Sequence, residues 1–396
     1  MSIVYDNLLQ EIFLRLPDKR SLIQCSIVCK HWFSLLSDPQ FIRAFHERSP
    51  DHPYTIFFGI TIGKEFIYEL FSENSKILHG GNHRKGNYLD FMPWSTSHVN
   101  IRASFEDLLL VSHSWADDYC ICNPLTREWV ALPRAPKSNY GKCGLMCERK
   151  GVGGGDKGLR RSNNINDQYR FKVLLITDCY NKGNDSVFDG AVFCSETGKW
   201  SPSVFSFAFR ETLLAWTNLI CPSDFVTSNG IFYSLLKERM SDRIEGIVAF
   251  DPSMDRNTSS EFADPKRCLF IRCSIDFGYR WQEKICFGAV QGRLRLSQVH
   301  SVKGDLELNV LELNYGNENG GEWVSVHWVK LQRENANDDH MLVAAFHPNN
   351  DNVIFMLRHR RDIYKYKMRE KSYEIVGQLP TPYRYMRTGT WTLVHP

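Results

Sequence analysis

Apolar residues recur at helical spacing over the first 47 positions and at strand spacing after them. Leu8, Leu9, Ile12, Phe13 and Leu16 fall three to four apart, the pattern of a short amphipathic helix. Pro17 and Asp18 end that run, and Asp18 or Ser21 is placed to cap the next helix. Leu22, Cys25, Cys29, Trp32 and Leu36 then step by 3, 4, 3 and 4, which predicts one continuous helical stripe. Asp38-Pro39 punctuates again, and Pro39 suits the start of a third helix carrying Phe41, Ile42 and Phe45. Residues 6–47 therefore read as three short helices. A unit of this size sits near the limit for an independent core, and it holds more large apolar side chains than three short helices can bury among themselves. Two readings stand. Either Val4, Leu9, Ile12, Phe13 and Leu16 present a face to another protein, or these helices are the first layer of a larger core.

From residue 53 the pattern changes to short runs rich in β-branched and aromatic residues, bounded by Gly, Asn, Asp and Pro. Such runs lie at 54–59, 108–112, 171–177, 191–194, 230–235, 244–250, 285–290, 306–311, 341–346 and 353–357. Many short strands with turn signals between them predict an all-β array. One phrase repeats: an apolar strand, a polar turn, then Trp or an equivalent opening a closing strand. It occurs at Ile121–Trp129 and Val192–Trp200, more loosely at Leu311–Trp323 and Ile363–Tyr373, and faintly at Phe71–Leu78 and Ala249–Phe262. The closing positions recur every 50 to 71 residues or so, near the ~50 of kelch-type blades with loops added. The expectation is a β-propeller of about six four-stranded blades over residues 53–396, preceded by a helical module at 1–50. A pair of stacked β-sandwiches is the alternative that the same strand signals permit.

Composition narrows the classes. The 396 residues are 43% hydrophobic and 23% charged, ordinary for a globular protein of two or three domains. A net charge of +3 gives no electrostatic reason to expect a nucleic acid or a membrane surface as partner. No apolar run reaches the ~18 residues a bilayer requires, and no basic region precedes an apolar one at the start, so an intracellular protein of cytoplasm or nucleus is expected. The 12 cysteines are then reduced thiols. Cys120-x-Cys122 with Cys143-x-x-x-Cys147 fits a structural zinc poorly; a strand with Cys120 and Cys122 inward, and Cys143 and Cys147 in a loop, explains them better. Gly153-x-Gly155-x-x-Gly158 lacks the flanking strand and helix that phosphate binding needs, and residues 148–168 read as a mobile basic loop. Asp338-Asp339-His340 and Asp117-Asp118 read as polar turns. With no His-Glu-x-x-His and no Gly-x-Ser-x-Gly, the expectation is no catalytic residue, no metal and no cofactor. Trp216, the trio Tyr279, Arg280 and Trp281, and the trio Tyr383, Arg384 and Tyr385 carry the residue types that dominate protein interfaces and are the candidates for substrate binding.

Two resemblances organise these features. Leu8-Leu9-x-Glu11-Ile12-x-x-Arg15-Leu16-Pro17, then Leu22, Cys25, Val28-Cys29-Lys30-x-Trp32, then Leu36-Ser37-Asp38-Pro39-x-Phe41 resembles an F-box, with Val4-Tyr5 where that motif usually opens on Leu-Pro. Asn123-Pro124-x-Thr126-Arg127 with Leu132-Pro133, Ser195-x-Thr197-Gly198-x-Trp200, Ala345-Phe346-His347-Pro348 and, faintly, Gly288-x-x-x-Gly292-x-Leu294 resemble the F-box-associated domain of plant F-box proteins. The resemblance implies a non-catalytic subunit of a Skp–cullin–F-box (SCF) ubiquitin ligase. Leu8, Leu9, Ile12, Leu16, Pro17, Trp32 and Leu36 would dock a Skp-type adaptor, and through it cullin and RING subunits. The β-domain would capture an unidentified protein substrate for ubiquitination. The other classes left open are an F-box scaffold acting outside a ligase and a propeller hydrolase.

Overall fold

The computed structural model describes residues 2–15, 25–26, 28–36, 41, 54–62, 65–72, 89–95, 99–113, 117–138, 141–150, 165–182, 185–208, 217–220, 225–238, 243–252, 268–276, 285–302, 305–315, 321–331, 341–358, 361–379 and 390–394. Helix α1 spans Ser2–Leu14 and α2 spans Lys30–Leu36. Cys25 and Ser26 are helical, but the stripe expected to continue to Leu36 breaks at Val28 and Cys29. The Val28 N–H donates to the Cys25 carbonyl at 3.2 Å, closing a tight turn. Cys29 then caps α2: its Sγ accepts from the Trp32 N–H at 3.4 Å, and its carbonyl accepts from the Phe33 N–H at 3.0 Å. Phe13, Leu36 and Phe41 form a small buried core, with Leu9, Leu14, Cys25 and Trp32 packed against it. Phe13 meets Trp32 edge-on, ring centroids 4.9 Å apart.

Beyond the helices the described residues form six antiparallel sheets. Blade one joins β1 (Tyr54–Ile62) and β2 (Glu65–Ser72) to the last strand, β24 (Thr390–Val394), in the order β2-β1-β24. Blade two is β3 (Val99–Phe105), β4 (Leu108–His113), β5 (Tyr119–Asn123) and β6 (Glu128–Ala131). Blade three is β7 (Lys142–Arg149), β8 (Tyr169–Lys182), β9 (Asp185–Cys194) and β10 (Lys199–Ala208). Blade four runs β11 (Thr217–Ile220), β13 (Ile231–Glu238), β14 (Arg243–Phe250) and β15 (Cys268–Asp276), with β12 (Val226–Ser228) also on β13. Blade five is β16 (Ile285–Val290), β17 (Arg293–Val302), β18 (Asp305–Tyr315) and β19 (Gly321–Leu331). Blade six is β20 (Leu342–Phe346), β21 (Val353–Arg358), β22 (Asp362–Lys367) and β23 (Ser372–Gln378).

The blades form a ring. Strands β24, β3, β7, β12, β16 and β20 each touch the next in that order, and β20 returns to β24. Six apolar clusters fill the seams between successive blades. Strand alternation feeds them: on β1, Ile56 enters the seam with blade six and Phe57 the seam with blade two. On β4, Leu108 and Leu110 face blade three while Leu109 and Val111 face blade one. The paired-sandwich alternative is thereby overturned, because these sheets bury both faces against neighbours around a closed circuit.

Two local expectations need correcting. Cys143 and Cys147 lie on β7, not in a loop, because residues 142–149 pair throughout with β8. The basic loop expected at 148–168 is narrower: Glu148 and Arg149 finish β7, and residues 165–168 form a short helix, α3 (Ile165–Gln168), leaving 151–164 outside the described residues. The Lys150 N–H donates to the Gln168 carbonyl at 2.8 Å, so the neck is zipped before the sequence turns glycine-rich.

Candidate functional site

Consecutive residues on a helix point about 100° apart, so of an apolar doublet at the edge of a small core one member faces inward and the other turns towards solvent. Three doublets among the described residues are split in this way. Of Leu8-Leu9, Leu9 packs against the Phe13 cluster while Leu8 is 59% exposed. Of Ile12-Phe13, Phe13 is buried and Ile12 is 59% exposed. Of Trp32-Phe33, Trp32 packs inward and Phe33 is 57% exposed. Asp6, Leu9 and Phe13 define the inner face of α1, since Asp6 Oδ1 and His31 Nε2 lie 2.9 Å apart and tie it to α2. Leu8 and Ile12, one helical turn apart, form a second seam beside that face, open to solvent.

The sequence candidates thus separate by position. Leu8 and Ile12 are uncovered; Leu9, Trp32 and Leu36 hold the helices together; Leu16 and Pro17 lie outside the described residues. Phe33, and Val28 at 63% exposure, were not among the candidates. The doublet rule would have found Phe33, because Trp32 had already claimed the inner position. Trp216, Tyr279, Arg280, Trp281, Tyr383, Arg384 and Tyr385 all lie outside the described residues, as do Gly153–Gly158 and Asp338–His340.

On the propeller, the sequence features with chemical appeal serve the fold. Cys120 and Cys122 sit in the seam between blades one and two, whereas Cys143 and Cys147 pack in the seam between blades two and three, so the four thiols cannot converge on one ion. Burial pushes the Cys120 thiol up to about 12, far from a reactive thiolate at neutral pH. Among the described residues no group of three or more His, Cys, Asp or Glu is arranged to hold a metal, and no helix is long and apolar enough to cross a membrane. Asp117 and Asp118 make a turn before β5, their carbonyls accepting from Ala135 and His113.

The Asn-Pro-x-Thr-Arg signature is likewise a staple. Asn123 Oδ1 accepts from the N–H groups of Leu125 and Thr126, at 2.9 and 3.3 Å, and Asn123 Nδ2 donates to buried Asp107 at 3.1 Å. Asp107 also accepts from Tyr169 Oη at 2.6 Å and Arg149 Nη2 at 3.1 Å, which joins blade two to blade three. Arg127 reaches back to Asp90 at 2.7 Å and lies over the Phe91 ring.

Residues 78–387 match the family described as F-box protein At3g26010-like, beta-propeller, and residues 6–48 match the F-box-like family. This chain belongs to the F-box At3g26010-like β-propeller family. Among its relatives, F-box protein At5g49610 of Arabidopsis thaliana is 27% identical over 49% of this chain and 49% of its own length. F-box protein At3g57590 of the same plant is 28% identical over 34% of this chain and 32% of its own length. The chain thus spans about half or less of the length of these curated relatives. Among solved structures, an oligogalacturonate lyase in complex with manganese is similar at 10% identity and a TM-score of 0.38, over 84% of this chain and 76% of that one. In this F-box β-propeller protein the uncovered Leu8–Ile12 seam lies inside the F-box match.

Proposed function

We propose that this protein is the substrate-recognition subunit of an SCF ubiquitin ligase, acting in the cytoplasm or nucleus. Residues 1–50 dock a Skp-type adaptor, which links cullin and RING subunits, and residues 53–396 capture a target protein. No residue of the chain need do chemistry. Holding target and ubiquitin donor on one scaffold replaces a bimolecular encounter by an effectively intramolecular one. The observation that carries the reading is the open Leu8–Ile12 seam on a helical module whose own core is already formed by Phe13, Leu36 and Phe41. Covering both side chains on a partner contributes roughly 2–4 kcal/mol before association costs are subtracted.

The same geometry selects the test. Leu9 supports the helices, so changing it confuses docking with folding, whereas Leu8 and Ile12 are free of the core. The variant Leu8→Asp/Ile12→Asp is expected to lose co-purification with the Skp-type adaptor while its circular dichroism and melting curve stay those of the parent. Undiminished adaptor binding by the folded double variant overturns the proposal.

A further inference from the structure

We draw no further inference here: the strongest candidate, the surface patch on blade three where Asp178 of β8 stands opposite Asp189 of β9 beside exposed Tyr180 and Val204, is an acidic cluster on an uncovered sheet face, and nothing in the structure shows what covers it.

Discussion

Arg127, Gly198 and Lys371 occupy one place in three hairpins, the last position of a four-residue loop between the third and outer strands. All three adopt the left-handed conformation, with φ of 61°, 65° and 50°. Only the glycine, which has no Cβ to press against the backbone, does so without a steric cost. Arg127 is compensated by its contacts with Asp90 and Phe91. Lys371 is exposed, so Lys371→Gly is expected to raise the urea midpoint, by about 0.5–1 kcal/mol of stability. Gly198→Ala is expected to lower it by a similar amount, although no atom obstructs a Cβ there. Lys371 also acts at a distance. His327, within 3.0 Å of Tyr366 Oη, is held below its ordinary 6.5 by burial first and then by the Lys371 charge. A histidine depressed in the folded state takes up its proton more readily when unfolded. Its contribution is therefore whole above about pH 6.5 and lost as the pH falls below that. Removing the lysine charge should move the His327 titration upward in an NMR pH series, and a shift downward or none would deny the coupling.

The strands legible in the sequence were those buried on both faces. Runs such as 108–112, 171–177 and 353–357 sit in β4, β8 and β21, next to or within the middle of their sheets, and alternate their side chains between two seams. Outer strands were legible only as the closing strand of the repeated phrase, not from their own pattern, because half of each faces water: β19 and β23 mix exposed polar and apolar positions with no clean period. In β19 a bulge at Val326 adds to this by shifting the register, so Trp323 reaches blade four while Val329 packs toward blade six. The repeated phrase was visible because its turn residues are dictated by backbone geometry rather than burial. The Leu8–Ile12 seam was legible as excess apolar surface, whereas which member of each apolar pair faces inward was not, since that depends on how α1 packs on α2. Seam packing also makes a prediction at this scale. A Cβ built at Gly144 on β7 would stand 2.5 Å from the Phe232 ring of blade four, with Phe225 at 3.1 Å. Both rings are buried, so Gly144→Ala is expected to destabilise by about 1–3 kcal/mol, read as a lower melting temperature. An unchanged transition would mean that this seam repacks freely.

Ring closure depends on strands from opposite ends of the β-domain. β24 pairs with β1 from Tyr54↔Val394 to Phe58↔Thr390, and it supplies the innermost strand of blade one, touching both β3 and β20. Bringing partners some 340 residues apart together costs about 5 kcal/mol in loop entropy, more than a five-residue ladder alone is expected to return. The balance must come from the seams that β24 completes, through Ile56 against blade six and Phe57 against blade two. Closure and blade packing are therefore one cooperative event. Deleting residues 390–396 is expected to do more than subtract one strand. The melting temperature should fall by roughly 10 °C or more, apolar-dye binding should appear, and amide exchange should quicken in blades one, two and six before blades three to five. A truncated chain that melts as the parent does, with exchange altered only in β1, would show instead that the blades are stable as an open arc. The Leu8–Ile12 seam would then remain presentable to an adaptor on a propeller that need not be closed.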